Sequence, residues 1–390
     1  MNQTTVTNNK RINWLDGIKG ISCLFIFFHH FCLNYFPATY SGSASPSHAN
    51  GFDIMLASSP FGFIVNGNFF VHLFIFISGY VITATIISYK PEKVGIFLFK
   101  RYLKLLFPLA VYTFVMFLIK VYAKLGETNF VIEIIKELYR SIKALLFGVL
   151  FTGDTYLGTH LWMLNIIFLG GIFVSIISSL CWTYDGKKVV FVPAAIGLML
   201  FFFPTLINLH FATIFWGCAL YIFNYYYEFK IRNCLAIILI FLGLFFGGFP
   251  SGLIPDNFYR FFIIPKATSE SYFLWHCFAA FIIIFSVSKS EILQKFFSRK
   301  IFLFLASISL WVYLSHGIVM SFTQKIFNLL QEKNVGYLIS AIIVLFATTV
   351  ILILESFIIS KYILPLGNTI ISKLFLKLEI KTKTEGECSN

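Results

Sequence analysis

The stretch Arg11-Ile-Asn-Trp-Leu-Asp16-Gly-Ile-Lys19-Gly-Ile-Ser-Cys-Leu-Phe-Ile-Phe-Phe-His29-His30-Phe31 opens the first of a series of apolar runs that decide the fold. A membrane-spanning helix needs about 20 mostly apolar residues, and only a helix or a closed barrel satisfies its own backbone without water. Runs of that kind fall at 14–35, 68–89, 96–122, 160–181, 189–206, 211–227, 232–249, 269–287, 301–323 and 337–363. Of 390 residues 58% are hydrophobic and 12% charged, against roughly 25% charged in soluble domains. The mean hydropathy is +0.83. The sequence predicts an all-α integral membrane protein of about ten spans. It divides into a cytoplasmic N-terminal segment 1–13, a ten-helix domain 14–363 and a basic cytoplasmic tail 364–390. No appended soluble domain and no cleaved signal peptide are expected, since Met1–Lys10 is polar and mixed and no small-residue cleavage site follows the first run.

The net charge is +13. On a soluble chain that would raise nucleic-acid binding, but here the cations sit between the apolar runs, which is the pattern of cytoplasmic loops. The clusters are Lys10–Arg11, Lys90 to Lys104, Lys187–Lys188, Lys230–Arg232, Lys289 to Lys300 and Lys373 to Lys383. Segment 128–152 is ambiguous, because Glu133, Lys136, Glu137, Arg140 and Lys143 precede the apolar stretch Ala144 to Phe151. Read as an interfacial amphipathic helix, it leaves every basic cluster on one side, with both termini inside. The outer side then carries 36–67, 123–159 and 250–268. The partners expected on this ground are membrane lipids and no nucleic acid. Seven cysteines, Cys23, Cys32, Cys181, Cys218, Cys234, Cys277 and Cys388, form no C-x-x-C pair and read as packing residues. No metal is expected.

Charged groups at membrane depth are costly and need a reason. In the first run Asp16 and Lys19 are one turn apart and can pair. Lys19 and His30, at about 100° and 1.5 Å per residue, return to nearly one face, roughly 16 Å apart. Asp16, Lys19, His30 and Asn34 thus make one polar stripe, and His29 points elsewhere. Each residue alone also fits anchoring or an interhelical hydrogen bond. The stripe as a unit places a cation near the cytosolic end and an imidazole nearer the outer end, as a reaction across the membrane would need. Ser78-Gly79 in the second run permits close backbone approach. Lys100, Arg101 and Lys104, ahead of Pro108, are either loop anchors or a phosphate clamp. His160-Leu161-Trp162 begins the fourth run, where aromatic belt residues are common. His316 lies in the ninth run, after Tyr313. No Walker loop, G-x-G-x-x-G, H-E-x-x-H or G-x-S-x-G motif occurs.

Taken together these residues resemble the membrane acyltransferases of acyltransferase family three. Leu15-Asp16-Gly17-Ile18-Lys19-Gly20, with His30 after it, is similar to the family's opening Leu-Asp-Gly-x-Arg-Gly and spaced His. Phe74 to Tyr80, with Ser78-Gly79, resembles its second motif. Lys100-Arg101 with Lys104 and Pro108 resembles its basic pair, and Leu161-Trp162 its Leu-Trp run. Gly217-Cys-Ala-Leu resembles its Gly-Ala-Leu span, and Ser309 to His316 its last motif. The matches run in order from about 11 to 325. The resemblance implies ten spans and transfer of an acyl group, commonly acetyl, from cytosolic acyl-CoA to a hydroxyl of a surface glycan or its lipid-linked precursor. It implies His30 as catalytic base or acyl carrier, with Lys19 and Asp16 beside it. Arg101, Lys104, Lys100, Ser78 and Gly79 would face acyl-CoA, and His72, His160, Trp162, Tyr313 and His316 the acceptor. Acetyl-CoA enters as the donor substrate, with no metal.

Two departures stand out. Lys19 replaces the family's Arg and offers a point charge with no bidentate fork. Asn165 stands where many members carry an acid after the Trp, and His72 where an acid often precedes the Phe-Phe run. Two other classes fit a polar stripe in a span: a glycan transporter or export subunit, and an inert structural subunit. The absence of an evident inverted repeat of broken helices lowers the first. The Phe-, Ile- and Lys-rich usage points to an AT-rich, bacterial source and hence to the cytoplasmic membrane.

Overall fold

The computed structural model describes residues 12–89, 94–126, 128–202, 206–252, 258–264 and 271–387. It is 85% helix, and no strand occurs among the described residues. The expected signals at Lys10, Arg11, Lys90 and Lys93 lie outside the described residues.

The apolar runs become long helices because nothing in them breaks the backbone ladder. They are α1 (Asn13–Tyr35), α2 (Gly67–Ile87), α3 (Val94–Ala123), α4 (Phe130–Lys143), α5 (Trp162–Ser179), α6 (Phe191–Phe202), α7 (Leu206–Tyr226), α8 (Asn233–Gly247), α9 (Ser271–Ser288), α10 (Lys300–Glu332) and α11 (Tyr337–Ile358). Seven helices are long and apolar enough to cross a membrane: α1, α2, α3, α5 with its flanking turns, α9, α10, and α11 with its continuation. The expected spans 189–206, 211–227 and 232–249 fall on α6, α7 and α8. These three are not among the seven, and α8 is an apolar helix of fifteen residues.

The interior is built on α1, which packs on α10 and α2, and on α2, which also packs on α7, α5 and α9. Helices α3 and α11 lie at the rim, with much of their apolar surface exposed, as lipid-facing helices require. Two glycines set the closest approaches. A Cβ on Gly17 would overlap the carbonyl oxygen of Phe297, in the short helix Glu291–Phe297 that precedes α10. A Cβ on Gly79 would overlap the carbonyl of Ile214 in α7. Small residues at such crossings let helices gain dispersion contact where lipid supplies no hydrophobic drive.

Segment 128–152 divides in two. Helix α4 turns Val131, Ile132, Ile135, Leu138, Tyr139 and Ile142 outward, all exposed. Its buried Glu137 is 3.1 Å from Lys120 of α3 and accepts the Tyr156 hydroxyl. Glu133 joins Lys124, just past the end of α3, at 2.7 Å. The following π-helical stretch Ala144–Thr152 instead packs inward on α5, with Ala144, Gly148, Val149 and Leu150 buried. The Asn165 amide donates to the Leu150 carbonyl at 2.9 Å, and the Tyr102 hydroxyl to that of Leu146 at 3.3 Å. The amphipathic reading therefore describes 130–143, while the apolar remainder is part of the bundle.

Candidate active site

Six of the eight histidines gather in two groups. The first is His30 of α1 with His160 and His316. The His30 and His316 rings are nearly parallel, at 26° with centroids 4.9 Å apart. His160 sits in the turn Thr159–Leu161 ahead of α5 and meets His316 edge-on at 4.6 Å. The Tyr313 hydroxyl donates to the His160 carbonyl. His160 Nε2 lies 3.1 Å from the Leu314 carbonyl, and His316 Nδ1 2.8 Å from that of Tyr313. Carbonyls only accept, so both nitrogens carry protons. His30 makes no hydrogen bond to protein among the described residues. It is the one ring of the three with both nitrogens uncommitted. Its neighbour His29 points the other way, with Nδ1 2.6 Å from the Val65 carbonyl and its ring against Gly67.

The polar stripe survives as spacing, because α1 is unbroken from Asn13 to Tyr35. Asp16 and Lys19 are 4.0 Å apart. Asn34 is exposed. The contacts of His30 run sideways to α10 and the turn before α5 rather than along α1 to Lys19.

The second group is His72 of α2, His210 of α7 and His276 of α9. His72 lies 4.9 Å from His210 and 5.9 Å from His276, centroid to centroid. His72 Nδ1 is 2.8 Å from Thr213 Oγ1, which itself donates to the Leu209 carbonyl. The Thr213 oxygen therefore accepts from His72, leaving His72 Nε2 as a bare lone pair. His276 Nε2 is 2.9 Å from the Phe249 carbonyl. His72 Nε2, His210 Nδ1 and His276 Nδ1 are buried with no partner. Trp162 stacks on His210 at 4.5 Å. The Thr159–Trp162 stretch thus feeds both groups, His160 to the first and Trp162 to the second. His210 and His276 escape a reading by motif because each stands alone in a greasy run.

The basic residues of α3 separate. Arg101 turns inward, its Nη2 3.4 Å from the Ile167 carbonyl of α5 and its Nε buried without a partner. No carboxylate lies within ion-pair range of it among the described residues. Lys104 is exposed, and Lys100 lies over the Phe375 ring at 4.7 Å. Ser78 donates to the Phe74 carbonyl of its own helix at 2.9 Å, and the space beside Gly79 is filled by α7.

One acid in the bundle was not singled out by sequence. Glu355 of α11 accepts from Trp311 Nε1 at 2.6 Å and from the Ser315 hydroxyl. Ser315 precedes His316, so this carboxylate braces the part of α10 that carries the first group. The signal was present: an acid within a span is costly and marks function by default.

A bundle of apolar helices around buried imidazoles and an inward guanidinium defines an integral membrane protein with a polar site at depth. The family model for the acyltransferase domain matches residues 12–356, nearly the whole chain, and the chain belongs to that family. It is a membrane acyltransferase. No curated protein and no solved structure matches it.

Proposed function

We propose that this chain is a ten-span O-acyltransferase of a bacterial cytoplasmic membrane with both termini inside. It moves an acyl group, acetyl by preference, from cytosolic acyl-CoA to a hydroxyl of a surface glycan or its lipid-linked precursor. Helices α6, α7 and α8 supply the three spans beyond the seven of full length. The observation that carries the reading is His30, an imidazole with both nitrogens uncommitted, stacked on His316 inside an apolar bundle.

In the reaction the acceptor hydroxyl oxygen attacks the thioester carbonyl. His30 takes the hydroxyl proton as the carbon–oxygen bond forms, and the carbon–sulfur bond breaks. The proton then passes from His30 to the departing thiolate, giving free CoA and the ester. His316, its Nδ1 proton held by the Tyr313 carbonyl, presents a fixed neutral face to the imidazolium that forms on His30. Arg101, turned inward with no carboxylate in ion-pair range among the described residues, is the group that gains most from a phosphate of the donor. Lys19 and Asp16 serve the cytosolic end of the same path, with Lys104 and Lys100 at its mouth.

The test is direct. Membranes containing the wild-type chain are incubated with acetyl-CoA labelled in the acetyl group. Label entering glycan is expected, and label released only as acetate, or none released, would refute the reading.

A further inference from the structure

The second histidine group borders an open cavity of about 400 Å³, within the roughly 300–1,000 Å³ usual for small-ligand sites. Among the described residues its wall is uncharged. Asn68 of α2, Trp162 and Asn165 of α5, His210 of α7, and Tyr40 and Tyr272 face it, with no Asp, Glu, Lys or Arg among its lining residues. It lies at the end of the bundle that carries segment 36–67, which is the outer end in the proposed topology.

Three features single this cavity out from the apolar grooves on the bundle surface. First, its lining alternates flat rings with amides. Trp162 has one face on His210, and the indole N–H and the Asn68 amide make no hydrogen bond to protein among the described residues. Second, His210 is 6% exposed and has a buried Nδ1 without a partner. Third, behind it stand His72 and His276, both fully buried, each also with an unpartnered nitrogen. Buried polar atoms are paired as a rule, so the orphan on His210, which lines the cavity, marks a polar atom that a ligand or its water supplies. An anion or cation in this wall would meet no counter-charge and would lose its hydration.

We infer that this cavity is the acceptor subsite and that it takes an uncharged pyranose ring. The ring's apolar face lies on Trp162, and its hydroxyls meet the Asn68 amide and His210. Charged sugars are turned away by the neutral wall. The turn Thr159–Trp162 places this subsite beside the His30 group, since His160 and Trp162 are two residues apart. The inference rests on the proposed acyl transfer to a glycan and adds to it a location and a charge rule.

Saturation-transfer NMR on the full chain in phospholipid nanodiscs tests it, with methyl β-glucoside, methyl N-acetyl-β-glucosaminide and methyl β-glucuronide as probes. A neutral glycoside should receive saturation at least fivefold more strongly than the glucuronide. Trp162→Ala and Asn68→Leu should each reduce the neutral signal at least fivefold, in whichever variant keeps the wild-type unfolding temperature. Asn68 has no protein partner to lose among the described residues, so its variant is the safer folder. No transfer from either neutral glycoside, equal transfer from the glucuronide, or a natively folded Asn68→Leu chain with wild-type signal overturns the inference. Acetyl transfer in the same membranes reads the enzyme assignment separately. Glycan labelling without glycoside binding sinks the subsite alone, and glycoside binding without labelling sinks the acyl transfer alone.

Discussion

The two histidine groups use the same side chain in opposite ways. In the first, His160 and His316 each give a proton to a helix carbonyl, and His30 gives none. In the second, His72 and His276 are tied down on one nitrogen each, and every remaining buried nitrogen is an orphan. A ring that is free on both nitrogens can accept and return a proton. In the second group His72 and His276 are each oriented by one hydrogen bond, and their other nitrogens are buried away from the cavity that His210 lines. Each group also sits beside close glycine crossings. Gly17 seats α1 against the helix before α10, and Gly79 seats α2 against α7, where Thr213 meets His72.

The comparison breaks most visibly at its chemistry. His30→Ala should reduce acyl transfer from labelled acetyl-CoA by on the order of 10²–10⁴, with KM for the donor little changed. His72→Gln should leave the donor step nearly intact and raise KM for the acceptor. Equal losses of kcat in both variants would show that the two groups serve the same step. Next comes the inward cation. Arg101→Gln should raise KM for acyl-CoA about tenfold, the size of one charge-assisted contact, while Lys104→Gln, on the exposed side, moves it less than threefold. Equal shifts would return the two to a joint clamp. Third, Gly79→Ala should destabilise the bundle by about 1–3 kcal/mol, as overpacking does. It should disturb acceptor binding before it touches donor turnover, and thermal unfolding in detergent with the two KM values reads this.

The smallest effect lies outside both groups. Hydrogen bonds from Lys124 and Lys136 hold the Glu133 carboxyl down to about 2. The carboxyl binds its proton less readily in the folded chain than in the unfolded one. Its contribution is therefore complete above the ordinary carboxylate range and is lost as pH falls toward 2. Glu133→Gln should flatten the dependence of unfolding temperature on pH between about 4.5 and 2 and leave pH 7 almost unchanged. An unaltered slope would show the ion pairs to be idle.

How much of this was legible in advance differs between the groups for a physical reason. The apolar runs fixed which segments are helical, and a helix has a known period, so His30 and His29 could be assigned to different faces from their positions alone. Residues His72, His210 and His276 come from three helices far apart in the chain. Nothing in a periodic pattern says which faces of different helices meet, and their meeting depends on crossings such as that at Gly79. The segment 128–152 was half legible for the same reason. Charges at 133–143 mark a surface helix, but whether the apolar residues after it turn to lipid or to α5 is decided by partners such as Asn165. Arg101 and Lys104 share a helical face by spacing, yet one points inward and the other to the surface, because α5 covers only one of them.

Helix α1 is fixed at its two ends. At the lower end Gly17 rests on the Phe297 backbone, and at the upper end the Tyr337 hydroxyl holds the Tyr35 carbonyl at 2.7 Å. Twenty-three residues, about 34 Å of rod, are thereby clamped like a strut between two walls. A transport cycle that tilted α1 would have to break both joints on every turnover. The acyl transfer proposed for His30, which α1 carries, needs neither joint to open.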